Sequence, residues 1–258
     1  QLAEPSDLAR FLAVVGPSGS GKSSIVKAGL IPALRRGALP DSDQWFVLDF
    51  TPGTHPWEKL EAALLRVAVN PPETLLNQLQ DGDRGLTRVV QRVLPADDTT
   101  ELVLVIDQFE ELFTLVKDEV VREQFLNGLV TAVLDQNSRL RVIITLRADF
   151  YDRPLQYVDF GDLIRQRTIS VVPMTPDELE EAITQPALQS GVHLEPGLTA
   201  AIIRDVDDQP GALPLLQYAL TELFDQRERH MMTLAAYEKS GGVTGALARR
   251  ADEIYNSL

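Results

Sequence analysis

Apolar positions along the chain fall into two alternating kinds of segment. Five short runs are rich in β-branched and aromatic residues: Phe11–Val15, Gln44–Phe50, Leu102–Ile106, Leu140–Leu146 and Thr168–Val172. The first, third and fourth are almost continuously apolar, the pattern of parallel strands buried on both faces. Between the runs the spacing becomes helical. Leu60, Leu64, Leu65 and Ala68 share one face, as do Phe125, Leu129, Ala132 and Val133. Strands alternating with helices predict an α/β domain built on a parallel sheet.

After Pro173 the strand pattern stops. Thr175-Pro-Asp-Glu178 has the form of a capping box with proline at the first helical position. It predicts a helix with Leu179, Ala182 and Ile183 inward and a kink at Pro186. A second helix is expected near Leu198–Val206, and a third with Leu213, Leu216, Leu220, Leu223 and Phe224 in register. Weaker helical patterns continue to Leu258, interrupted at Gly241-Gly242. The expected organisation is therefore a nucleotide-binding α/β domain over 1–172 and a small helical domain over 173–258.

The chemistry enters at the end of the first run. Gly16, Pro17, Ser18, Gly19, Ser20, Gly21, Lys22 and Ser23 form G-x-x-x-x-G-K-[ST], with Ser24 following. A strand leads in and an apolar segment (Ile25, Val26, Ala28, Gly29, Leu30) leads out, the context a P-loop requires. The glycines let consecutive N–H groups converge on phosphate oxygens, and the helix N-terminus adds partial positive charge. Lys22 is placed to reach the β- and γ-phosphates and Ser23 to ligate Mg²⁺. The third run ends in Asp107, where such a site needs an acid for the metal. In many ATPases of this division a glutamate follows that aspartate directly; here Gln108 follows. Glu110, with Glu111 second, is the candidate to orient or deprotonate the attacking water, against the simpler reading of a solvated acidic helix start. The fourth run ends in Arg147. The P-loop division with an additional strand, order 5-1-4-3-2, brings that strand end beside the γ-phosphate. Arg147 is then either a phosphate sensor, using its planar fork, or the partner of an acid in Asp149-Phe-Tyr-Asp152. Arg165 and Arg167 are read as salt-bridge residues before a finger toward a neighbouring subunit. His55, His193 and His230 are scattered and read as loop or surface residues.

Composition narrows the class. The chain has 258 residues and no cysteine, which excludes disulfides, thiolate metal sites and a cysteine nucleophile. No apolar run approaches the ~20 residues of a membrane span, and Gln1-Leu2-Ala3-Glu4 lacks signal-peptide character, so a cytoplasmic protein is expected. The net charge is −14, composed of +3 over residues 1–40 and −17 over the rest. That balance argues against direct nucleic-acid binding, whose affinity comes largely from phosphate neutralisation.

Four segments together, Phe11–Ser24, Leu104–Phe113, Thr145–Phe150 and Pro210–Leu216, with the tail Gly241–Leu247, resemble the novel STAND NTPases, bacterial relatives of the NACHT and NB-ARC switch ATPases. The resemblance implies a slow, regulatory ATPase that uses ATP/ADP and Mg²⁺ as a molecular switch for signal transduction. It would assemble with copies of itself after nucleotide exchange, within a longer chain carrying sensor repeats and an effector domain. It also implies that Pro214, in Gln209-Pro-Gly-Ala-Leu-Pro214, contacts adenine, where the residues alone suggest only a helix cap. The family's motif ahead of the first strand and its winged-helix domain are not found between Gln1 and Leu258, so a core of a larger protein is expected. Two other classes stay open: a kinase-like P-loop enzyme acting on a small molecule, hinted at by Asp49, and an AAA+-type nucleic-acid loader. A guanine specificity is disfavoured, since no Asn-Lys pair exists for N-K-x-D.

Overall fold

The fold is taken from a computed structural model of the chain. It describes residues 10–68, 74–95, 99–207 and 213–243, with single positions 211, 245 and 255. Gln209, Pro210, Ala212, Thr244, Ala246 and Leu247 of the expected motifs lie outside the described residues.

Five strands form one parallel sheet: β1 (Phe11–Gly16), β2 (Phe46–Phe50), β3 (Leu102–Ile106), β4 (Leu140–Arg147) and β5 (Thr168–Ser170). Their order is β2-β3-β4-β1-β5, the additional-strand arrangement expected from the sequence. Residues of β1, β3 and β4 point alternately to two buried layers, as the two-residue strand period demands. Ala13, Val15, Leu104, Ile106, Val142 and Ile144 belong to one core cluster. Leu12, Val14, Val103, Val105 and Ile143 belong to a second. The edge strands β2 and β5 are only partly covered, which is why their runs are less apolar.

The helix that follows β1, here α1, starts as α-helix at Lys22–Ser24, passes through a π-helical stretch Ile25–Leu30, and resumes at Ile31–Arg35. Its apolar composition misleads about its inner face. Ile25 is half-exposed, Ala28 and Gly29 are exposed, and the buried apolar residues are Val26, Ile31 and Leu34. The five-residue step from Val26 to Ile31 is the spacing an i→i+5 turn creates. Helix α2 (Pro56–Leu64) packs Trp57, Leu60 and Leu64 into the first cluster, but ends before Leu65, which is 44% exposed. Short helices α3 (Leu75–Leu79) and α4 (Gly85–Val93) follow. After β3 come α5 (Glu111–Thr114) and α6 (Glu119–Leu134). Phe125, Leu129, Ala132 and Val133 of α6 are all buried, and Phe125 meets Trp57 edge-on at 5.0 Å. Helix α7 (Val158–Gln166) carries Phe160, stacked on Phe109 at 5.4 Å and edge-on to Phe11 at 5.7 Å.

The chain divides into two compact units, one of residues 1–17 and 21–171, the other of residues 18–20 and 172–258. The second has its own core around Leu179, Ile183, Leu198, Ile202, Leu216 and Leu223. Helix α8 (Pro176–Gln189) opens on a complete capping box between Thr175 and Glu178, and continues as helix through Pro186. Ala182 is exposed, contrary to its expected inward place. Helices α9 (Leu198–Asp207), α10 (Leu213–Asp225) and α11 (Leu234–Lys239) follow. The unit is not purely helical. A two-residue parallel pair, β6 (His193–Leu194) and β7 (Met231–Met232), joins two of its loops. Two-residue strands have no periodicity for a sequence pattern to register.

Candidate functional site

The C-terminal ends of β1, β3 and β4 bring the site together, because adjacent parallel strands finish on the same edge. Gly16 pairs in register with Arg147, and Ile106 with Ile144. The loop after β1 needs left-handed backbone at Gly19 (φ 71°) and Gly21 (φ 86°), a region where a Cβ is strained. Gly21 caps α1 without a side-chain bond, so the first N–H groups of the helix are available to a ligand. The Ser20 hydroxyl oxygen is buried without a hydrogen-bond partner. Pro17, Ser18 and Ser24 are exposed.

Lys22 is buried, and its ammonium donates to the carbonyls of Gly16 at 3.0 Å and Pro17 at 2.7 Å. Burial lowers its pKa, opposed by the Glu110 carboxylate, while the Arg147 guanidinium adds to the lowering. Asp107 is buried at the end of β3. Its Oδ1 accepts from Ser23 Oγ at 2.7 Å, from Thr145 Oγ1 at 2.6 Å and from the Gln108 N–H at 3.2 Å. Lys27 Nζ lies 2.8 Å from its Oδ2 and 3.6 Å from Asp49 Oδ2. Burial acts to raise the Asp107 pKa, but the bonds from Lys27, Thr145 and Ser23 hold it below the usual carboxylate range.

Gln108 adopts φ 53°, a left-handed turn directly after the strand, and its N–H also reaches Thr145 Oγ1 at 3.0 Å. The turn lets the Phe109 N–H donate to the Thr145 carbonyl at 2.9 Å and carries Glu110 to β4. There Glu110 Oε2 accepts from the Arg147 N–H at 3.3 Å. Glu111 is turned elsewhere: its Oε2 accepts from the Gly53 N–H at 2.9 Å. The Arg147 fork is bidentate to Asp149, at 3.1 and 2.6 Å, and lies over the Phe150 ring. Arg165 pairs with Asp162, and Arg167 is buried. Asp49 is bridged by Lys27 and, at 3.8 Å, by Arg66. Pro214 is exposed in the first turn of α10. His55, His193 and His230 are exposed, and no metal-holding group of three His, Cys, Asp or Glu occurs among the described residues. Thr145 and Lys27, both bonded to Asp107, are not among the residues expected at the site; only the strand register and the helix path bring them to that carboxylate.

Ser23 Oγ and Asp107 Oδ1, two hard oxygen donors in contact, match the ligand chemistry of Mg²⁺. The orphaned Ser20 hydroxyl and the uncapped start of α1 match a phosphate acceptor. The residues therefore fit both groups.

Among solved structures, the Aeropyrum pernix ORC1 protein in complex with DNA is similar at TM-score 0.62 and 18% identity, over 96% of this chain and 62% of that one. The A. pernix ORC2 protein in its ADP form gives TM-score 0.61 and 13% identity, over 93% and 62%. Drosophila ORC bound to DNA gives 0.58 and 20%, over 93% and 55%. The chain thus spans 55–62% of the length of these structures, which share its fold. A comparison with curated proteins gave no match. The family described as Novel STAND NTPase 1 matches residues 1–258, in agreement with the motifs gathered at this sheet edge: the chain belongs to the Novel STAND NTPase 1 family.

Proposed function

We propose that this chain is the ATP/ADP-binding switch core of a signal-transducing STAND ATPase. The observation that carries the reading is the contact of the P-loop hydroxyl, Ser23 Oγ, with the Asp107 carboxylate at 2.7 Å. It brings together a P-loop hydroxyl and a strand-end carboxylate that lie 84 residues apart in the sequence.

In this reading Gly16–Ser24 binds the phosphates through backbone N–H groups, and Lys22 exchanges the carbonyls of Gly16 and Pro17 for β- and γ-phosphate oxygens. Ser23 and Asp107 would hold Mg²⁺, which supplies neutralisation of charge on the phosphates. Thr145 fixes the Asp107 carboxylate in one orientation. Glu110, on the Arg147 side of the site, accepts the proton of the attacking water. Glu111 holds the Gly53 turn and is the weaker candidate because its carboxylate is already engaged. Arg147 leaves Asp149 to grip the γ-phosphate, and Pro214 contacts the base. Self-assembly, sensor repeats and an effector elsewhere in a longer chain belong to the same proposal, as does a cytoplasmic setting. Among the described residues no helix is long and apolar enough to cross a membrane.

The test is nucleotide binding by Lys22→Ala. Calorimetry on the folded variant is expected to show loss of ATP and ADP binding; unchanged affinity would remove the phosphate-site assignment.

A second reading, a nucleic-acid loader, draws on the fold shared with two ORC proteins whose structures are DNA complexes. The net charge of −14 opposes it. The kinase-like reading rests on Asp49, which Lys27 and Arg66 bridge at 3.6 and 3.8 Å.

A further inference from the structure

Lys27 has no task in the chemistry proposed above, yet it makes the ionic contact to the most central acid of the site. It follows Ser23 by four residues along α1, and the two side chains hold opposite oxygens of one carboxylate. Ser23 donates to Asp107 Oδ1 at 2.7 Å, while the Lys27 ammonium stands 2.8 Å from Oδ2. The Asp107 side chain is 6% exposed, so charge around it is poorly screened, whereas Lys27 is 45% exposed and free to move outward. A second carboxylate stands nearby on the neighbouring strand β2: Asp49 Oδ2 lies 3.6 Å from the same ammonium, while its Oδ1 faces Arg66 at 3.8 Å. The flexible four-carbon stem of lysine can carry its charge between two acids at this separation without a change of backbone.

A divalent cation bound by Ser23 and Asp107 would share one carboxylate with this ammonium, and the two positive charges would repel. We propose that Lys27 is the resident counter-ion of Asp107, displaced onto Asp49 when Mg²⁺ binds, so that Lys27 and Asp49 together set the Mg²⁺ affinity of the site. This inference rests on the assignment of Ser23 and Asp107 to the metal. Lys27 acts through Asp107 and is a positioning residue. Its role is to keep the buried acid compensated before the cation arrives and to tie metal entry to movement of a charge toward β2.

The experiment is a Mg²⁺ titration of the binding of a fluorescent ADP analogue, read as the Mg²⁺ midpoint. Circular dichroism and melting establish that each variant is folded. Lys27→Met, which keeps the apolar stem, is expected to lower the midpoint about tenfold, within the usual range of coupling between sites. Lys27→Arg, which keeps the charge, should stay near the wild type. Asp49→Asn should raise the midpoint, because the ammonium loses its second seat, and should have no effect once Lys27 is Met. An unchanged or raised midpoint in Lys27→Met would overturn the proposal, as would an Asp49→Asn effect that persists in the Lys27→Met background. If Lys27→Met does not fold, Lys27→Arg and Asp49→Asn decide: an Asp49→Asn midpoint equal to wild type refutes the hand-over. The failure of the underlying reading is separately visible. Were the wild type and Asp107→Asn both indifferent to Mg²⁺, the metal assignment itself would fall, and this inference with it.

Discussion

At the scale of single residues, the site is built from competition for a few donors and acceptors. Glu110 and Glu111 are adjacent in sequence and alike in chemistry, yet the turn at Gln108 sends one to β4 and the other to the Gly53 loop. If Glu110 is the base, Glu110→Gln should slow ATP turnover by about 10²–10⁴-fold, the usual worth of a general base, while ATP still binds. Glu111→Gln should instead cost some stability through the loosened Gly53 turn and affect turnover less. Phosphate release under single-turnover conditions compares the two, and a larger kinetic loss in Glu111→Gln would reverse the assignment. Arg147 is engaged by Asp149 through both arms of its fork. A residue that must leave a partner to reach the γ-phosphate discriminates ATP from ADP only by the difference in what it gains. Arg147→Ala is therefore expected to weaken ATP binding and spare ADP, and equal losses for both nucleotides in calorimetry would make it a general contact.

At the scale of elements, local rules account for how segments begin and less well for which face they bury. The box at the start of α8 is reciprocal. The Thr175 N–H donates to Glu178 Oε2 at 2.8 Å, and the Glu178 N–H to Thr175 Oγ1 at 3.3 Å. Thr175→Ala should destabilise the protein by about 1 kcal/mol, the ordinary worth of an N-cap, measured by chemical denaturation. The bonds from the Thr175 backbone and then its hydroxyl lower the Glu178 pKa. A depressed carboxylate pKa stabilises above its unfolded value and loses that effect as pH falls through the folded one. The box should thus act fully at neutral pH and weaken only on acidification below the usual carboxylate range. Glu178→Gln should remove that acid dependence; a pH profile identical to wild type would show that the box contributes nothing ionic. In α1 the opposite holds: propensity marks the helix correctly, but the π-helical stretch rotates Ile25 outward and Val26 and Ile31 inward.

At the scale of the whole molecule, the question is what a fold shared with ORC proteins means for an acidic chain. Electrostatic attraction to phosphates provides most non-specific nucleic-acid affinity and falls steeply with salt. With a net charge of −14 the chain is expected to leave a labelled DNA duplex unbound at ~0.15 M salt. Fluorescence polarisation checks this, and saturable binding at that salt would favour the loader reading over the switch.

The sequence by itself determined what repeats locally or follows the strand period. The phosphate loop was legible because glycines, lysine and serine at fixed spacing have few other uses. The three central strands were legible because burial on both faces leaves no polar positions, as Leu102–Ile106 illustrates. The order of the strands followed from recognising the division to which the P-loop belongs. What only the tertiary structure decided is which side chains converge. Thr145 and Lys27 lie 38 residues after and 80 residues before Asp107; each stands near a recognised motif, but no spacing in the sequence points either of them at that carboxylate. They reach its carboxylate because parallel register sets the end of β4 beside the end of β3, and because α1 returns across that edge. The fates of Leu65, Ala182 and Ile25 were likewise settled by where a helix stops or changes pitch, since spacing defines a face but not what lies opposite it.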